Sequence, residues 1–152
     1  METLVRRLRR IFSRKTKINK PRISDRMSRN MDRLEQSLPK WIERKRWRIP
    51  TKSLSEAAEE LGTDTETLHH YFQKRLGIDF RTWRTRLRLE DAMQLLLEEP
   101  ESPVSMISRR CGFSDRSNFS RQFLFHTGMT PAKWRKEAGR SHDIPAPEND
   151  YV

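Results

Sequence analysis

TDTETLHHYFQKRLGIDFRTWR, Thr63–Arg84, and SDRSNFSRQFLFHTGMTPAKWR, Ser114–Arg135, are one segment written twice. At an offset of 51 residues, Asp64/Asp115, Phe72/Phe123, Gly77/Gly128, Trp83/Trp134 and Arg84/Arg135 are identical, while Leu68/Phe119 and Ile78/Met129 match in kind. A repeat of this kind marks one supersecondary unit used twice. Leu68 and Phe72, like Phe119 and Phe123, stand four residues apart, with a glycine five residues beyond. That spacing predicts an amphipathic helix, buried on one stripe and stopped by a residue able to take positive φ. The side chains that differ fall on the opposite face: Thr65, Glu66, His69, His70 and Gln73 in the first copy, Arg116, Ser117, Ser120, Arg121 and Leu124 in the second. A scaffold kept with two different exposed faces suggests two different surfaces to be read.

Composition sets the partner class. The 152 residues make one domain or two very small ones, and 34% hydrophobic residues, with four Trp and seven Phe, can bury a core. No run of about 18 apolar residues is present, so no membrane-spanning helix is expected. The net charge of +11 points to an anionic partner. It is unevenly placed: the first 30 residues hold 11 Lys and Arg against two acidic residues, a local net of +9 that leaves +2 for the rest. The one cysteine, Cys111, rules out an internal disulfide framework and fits a reducing cytoplasm.

Outward from the repeat, the chain reads as all-α. Leu4, Val5, Leu8, Ile11 and Phe12 lie at helical spacing among Arg6, Arg7, Arg9 and Arg10, a basic amphipathic arm, and Thr16–Asn30 reads as a linker. Met31, Leu34, Leu38, Trp41 and Ile42 predict a helix to about Arg46, with Pro39 marking a start or a kink; Arg48–Lys52 reads as a connector. Ser53-Leu-Ser-Glu56 is a capping box that opens a short helix to Leu61, and Gly62 ends it. Thr63–Glu66 offers a second capping box for the first repeat helix. Short helix, glycine turn and second helix make the helix-turn-helix outline. Phe80–Leu97 follows as one long helix with Phe80, Trp83, Leu87, Met93 and Leu96 inward, about 30 Å at 1.5 Å per residue. Ser102-Pro103 starts another short helix ending at Cys111-Gly112, Ser114 caps the second repeat helix, and Ala132–Ala138 closes the fold. Arg140–Val152 reads as a disordered tail. The expected organisation is a basic arm over residues 1–30, a double helix-turn-helix domain over 31–138 and a tail over 139–152.

Cys111–Lys136, CGFSDRSNFSRQFLFHTGMTPAKWRK, resembles the DNA-binding domain of AraC/XylS-type bacterial transcription regulators. The likeness rests on Gly112-Phe113-Ser114 followed by Phe119, Phe123, Gly128, Thr130-Pro131 and Trp134-Arg135, and LSEAAEELGTDTETLHHYF and RLRLEDAMQLL upstream fit the same family. It covers Met31–Lys136. The resemblance implies seven helices in two helix-turn-helix units, joined by the Phe80–Leu97 helix, whose second helices (64–76 and 115–127) enter successive major grooves of double-stranded DNA. It also implies activation through RNA polymerase, monomeric binding and a place in the bacterial cytoplasm at the nucleoid. The ligand-binding domain of many relatives has no counterpart in these residues, and a stand-alone regulator is expected.

The base-contact candidates are therefore Thr65, Glu66, His69, His70, Gln73, Arg116, Ser117, Ser120 and Arg121. Arg116 and Arg121 can each fork onto guanine O6 and N7, or hold a phosphate instead. Ser53 and Ser102 at helix starts, Arg84 and Arg86 on the long helix, and Arg6, Arg7, Arg9 and Arg10 on the arm are phosphate candidates. Arg84, Arg86 and Arg88 equally suit ion pairs with Glu90 or Asp91. Trp83 and Trp134 read as core, and so does Cys111, which pairs with Leu61. His69 and His70 point about 100° apart and lack a ligand partner at useful spacing, so no metal or other cofactor is expected. For the arm, phosphate binding, a membrane-surface or protein-partner helix, and inert solubilising charge all remain open. The two rival functions are a non-specific nucleoid-type architectural protein and an enzyme; no phosphate loop, metal spacing or catalytic triad supports the latter.

Overall fold

A computed structural model describes residues 25–50 and 52–138. The expected arm helix, with Arg6, Arg7, Arg9 and Arg10, and the tail over 139–152 lie outside the described residues. Among those residues there are seven α-helices and no strand: α1 Asp25–Glu43, α2 Leu54–Glu60, α3 Thr65–Leu76, α4 Phe80–Glu98, α5 Val104–Arg110, α6 Arg116–Thr127 and α7 Pro131–Ala138, with a 3-10 turn at Arg46–Arg48. The all-α reading holds. The packing divides into two compact units whose boundary falls inside α4, between Thr85 and Arg86.

In the first unit, α1 buries Leu34, Leu38, Trp41 and Ile42, the apolar stripe of its sequence. Two expectations for this helix are revised. It starts at Asp25, so residues 25–30 are helix and not linker, and the start offered at Pro39 does not occur, since Pro39 lies inside the helix. Pro39 stands on the exposed side of the helix. Beyond α1 the chain turns through Lys45 at φ 51° and tucks Trp47 into the core, its indole N–H donating to Ile42 O at 3.2 Å. The connector expected after Arg46 is thus partly core. Phe72 of α3 meets Phe80 and Trp83 of α4, with ring centroids 4.7 Å apart for Phe72–Trp83 and 5.3 Å for Phe72–Phe80; Tyr71 packs edge-on against Phe72, and Trp41 joins the cluster from α1. Ser37 Oγ donates to Leu61 O at 2.7 Å and ties α1 to the end of α2.

The second unit rebuilds the same core from the second copy. Phe119 and Phe123 of α6 and Trp134 of α7 pack on Leu89, Met93 and Leu96 of α4 and on Ile107 and Cys111, with Phe123–Trp134 centroids at 6.2 Å. Gly77 and Gly128 end α3 and α6 in the left-handed region, at φ +66° and +74°, as the repeat predicts. Trp83 and Trp134 are both core side chains.

Candidate nucleic-acid interface

The capping residues define where each outward helix begins. α3 and α6 are capped by Asp64 and Asp115, one residue later than the Thr63 and Ser114 expected: Asp64 accepts from Thr67 N at 2.7 Å, and Asp115 from Ser117 N at 2.9 Å and Asn118 N at 3.2 Å. Both aspartates hold extended backbone, the geometry an N-cap needs, and a carboxylate is the stronger acceptor. The Thr67 N–H, the Arg26 charge and the Asn30 amide hold the Asp64 carboxyl below the usual range. α5 is entered one residue late as well. Pro103 is its cap position, and the Ser102 hydroxyl donates to Glu99 at 2.9 Å.

Each unit has a short helix, a turn and an outward helix. α2 meets α3 across residues 61–64, and α5 meets α6 across 111–115, so the second turn is one residue longer. Both turns close alike, with Thr63 N donating to Ala58 O at 2.9 Å and Phe113 N to Ser108 O at 3.0 Å. The extra residue lies after that closure and shifts the repeat offset from 50 upstream to 51 downstream.

On α3 the side chains Thr65, Glu66, His69 and Gln73 are exposed and His70 is half-buried; on α6 Arg116, Ser117 and Arg121 are exposed and Ser120 is half-buried. Glu66, His69, His70 and Gln73, like Ser117, Ser120 and Arg121, fall opposite Leu68/Phe72 and Phe119/Phe123, which are fully buried, whereas Thr65 and Arg116 in the first turn stand in helical register with that buried stripe. Arg121 Nη2 donates to Asn118 Oδ1 at 3.2 Å, one turn back on α6. Leu124 and Phe125 at the far end are 47% and 87% exposed, at the positions of Gln73 and Lys74 in the first copy.

The phosphate candidates divide. Ser53 forms the expected capping box, Oγ accepting from Glu56 N at 3.1 Å and its own N–H donating to Glu56 at 2.7 Å, so that backbone donor is spent inside the chain. Arg84, a phosphate candidate by sequence, is turned inward in the structure. Its guanidinium donates to Lys52 O at 2.8 Å and lies over Phe80; burial, with Arg81 nearby, lowers its pKa. Its repeat partner Arg135 does the same, donating to Ser102 O at 2.6 Å and Leu96 O at 3.3 Å. Each clamp fixes the strand of chain that leads into the first helix of its unit, and this shared role was not recognised from the sequence. The signal was there, since both arginines are kept by the repeat. Ser102 has its carbonyl held by Arg135 and its hydroxyl by Glu99, so it too is engaged internally. Arg86 is half-buried, and its charge, after burial itself, keeps His126 below the usual imidazole range.

Glu60, on α2, is a second feature missed by pattern. It accepts from Trp41 Nε1 at 2.9 Å, from Lys52 Nζ at 2.6 Å and from Arg46, gathering α1, the 3-10 turn and α2 around one carboxylate. Arg46 above all, then Lys52 and Trp41, overcome its desolvation and pull its pKa to about 2. Cys111 is buried, with Sγ 3.3 Å from Asp91 Oδ2, in keeping with a core residue. Among the described residues no helix is long and apolar enough to cross a membrane.

A family model described as "Helix-turn-helix domain" matches residues 57–137, more than half of the chain. The arabinose operon regulatory protein of Escherichia coli K12 is 33% identical over 82 residues, 54% of this chain and 28% of that protein. The HTH-type transcriptional activator RhaR of the same strain is 32% identical over 83 residues, 55% of this chain and 29% of that protein. The chain thus spans under a third of the length of these curated relatives. Among solved structures, the C-terminal domain of the two-component response regulator yesN from Fusobacterium nucleatum has 26% identity and a TM-score of 0.54, covering 74% of this chain and 99% of that one. With two capped, glycine-stopped helices presented on a doubled scaffold and a family match across both, the chain belongs to the AraC-type helix-turn-helix family of DNA-binding transcription regulators.

Proposed function

We propose that this protein is a sequence-specific DNA-binding transcription regulator of the activator kind, reading two adjacent major grooves with α3 and α6. The observation that carries the reading is the contrast between the outward faces: one scaffold, capped by Asp64 and Asp115 and stopped by Gly77 and Gly128, presents Thr65, Glu66, His69 and Gln73 in one copy and Arg116, Ser117 and Arg121 in the other. A protein that bound DNA only through phosphate would need positive charge on both faces, whereas α3 sets Glu66 at its N-terminal end. Recognition helices read base edges with their N-terminal residues, where Arg116, Ser117 and the forked donor of Arg121 stand on α6. Leu124 on the same face suits the methyl group of a thymine.

The protein binds as a monomer, each copy of the repeat taking one half-site. The basic segment over residues 1–30 adds phosphate contacts. Its place of action is the bacterial cytoplasm at the nucleoid, and RNA polymerase is the protein partner. The activator reading leans on relatives such as RhaR, itself described as an activator.

Selection of bound sequences from a random double-stranded pool tests the proposal. Two enriched half-sites about one helical turn apart are expected. A pool that emerges without sequence preference would replace this reading with a non-specific architectural one.

A further inference from the structure

We infer that the N-terminal half of α1 carries a phosphate-binding ridge, formed by Arg26, Arg29 and Arg33, that grips DNA beside the first recognition helix. The inference rests on the DNA-binding reading above. It extends that reading to a helix that lies before the family match at residues 57–137 and belongs to neither helix-turn-helix unit.

Arg26, Arg29 and Arg33 follow one another at helical spacing along one flank of α1, and all three are exposed. That flank is fixed against the first helix-turn-helix. Asn30 Nδ2 donates to Asp64 Oδ2 at 2.8 Å, and Arg26 Nη2 lies 3.7 Å from the same oxygen. Arg33 passes beside the turn: a Cβ placed on Gly62 would stand 3.9 Å from Arg33 Cβ and Cδ. The ridge therefore runs along residues 61–64 to the cap of α3. This end of a recognition helix enters the groove, so the phosphates bordering that groove lie alongside the ridge.

Electrostatics gives the arrangement its purpose. Asp64 is needed to cap α3, yet a carboxylate at a DNA-facing helix end repels phosphate. Arg26 sits against that carboxylate with its side chain 79% exposed, offsetting the charge while keeping donors free for an outside anion. Asp25 and Asp32, four and three residues from Arg29, flank the ridge, and its three arginines outnumber them. In sequence the ridge continues a basic run, since residues 1–24 hold nine Lys and Arg against Glu2 alone.

The test compares the full chain with the triple variant Arg26→Gln, Arg29→Gln, Arg33→Gln, with Arg44→Gln, in the turn just beyond the other end of α1, as the charge control. Glutamine keeps helix propensity near that of arginine, and circular dichroism checks the fold. Affinity for a selected site and for an unrelated duplex is measured from 50 to 200 mM salt. The ridge predicts that the triple variant weakens both duplexes by the same factor and lowers the slope of log K against log salt by roughly 2–3, about 0.9 per lost phosphate contact, with Arg44→Gln near wild type. A folded triple variant with wild-type slope and affinity overturns the ridge. So does a variant that loses binding to anionic vesicles alone while DNA binding is unchanged. If the wild-type chain itself binds no duplex, the DNA-binding reading fails and the ridge falls with it.

Discussion

Glu60 converts the acid stability of the first unit into a measurable prediction. Its pKa of about 2 in the folded chain, against 4.5 for an unperturbed carboxyl, is set chiefly by Arg46 and then by Lys52 and Trp41. The difference of about 2.5 units, at 1.36 kcal/mol each, gives a ceiling of about 3.4 kcal/mol. The carboxylate side chain is 27% exposed, and screening by water brings the expected contribution to about 1–2 kcal/mol. Because the folded pKa is depressed, this stabilisation is fully present above the unfolded value near 4.5 and is lost as pH falls toward 2. Glu60→Gln removes the charge and keeps the size, and its amide oxygen can still accept from Trp41. Urea unfolding of both proteins at a series of pH values should give a gap of about 1–2 kcal/mol at pH 7 that closes between pH 4.5 and 2. A gap that stays constant across that window would refute the ionic account of Glu60.

Two further predictions concern the scaffold. Phe123→Ala empties a fully buried site in the second core and should cost about 3–5 kcal/mol, read by thermal or urea unfolding, abolishing DNA binding through unfolding and not through altered preference. Arg135→Ala deletes two charged hydrogen bonds to Ser102 O and Leu96 O and should cost about 2–4 kcal/mol; Arg135→Lys should recover only part of it, because a single ammonium cannot span both carbonyls.

The doubling of the chain made most of this fold readable. A residue retained in both copies is retained for something the copies share, and Phe72/Phe123, Trp83/Trp134 and Gly77/Gly128 occupy the core and helix ends that their spacing demanded. The same logic applied to Arg84/Arg135 would have identified a backbone clamp. The long basic side chain drew a phosphate reading instead, because sequence does not reveal whether a guanidinium turns to the chain or to solvent. Thr63 and Ser114 were plausible caps by residue type, and backbone geometry awarded the role to Asp64 and Asp115. Glu60 and Asn30 were illegible for a different reason. Glu60's partners Lys52, Arg46 and Trp41 lie 8, 14 and 19 residues away and Asn30's partner Asp64 lies 34 away, all beyond the i, i+4 reach of a local helix pattern. The early start of α1 follows from the same tertiary cause: the Asn30 bond to Asp64 and the Arg26 contact anchor a turn whose own sequence is only polar.

The central claim is that two equivalent helices read two different half-sites, and Arg121 offers the most direct measurement. Site selection should be run on the wild-type chain and on folded Arg121→Ala, with affinities measured on the wild-type consensus. The account predicts a loss of about 1–3 kcal/mol and relaxed preference at one base pair, confined to one half-site, with the other half-site intact. An Arg121→Ala protein that selects the wild-type sequence at every position would contradict it.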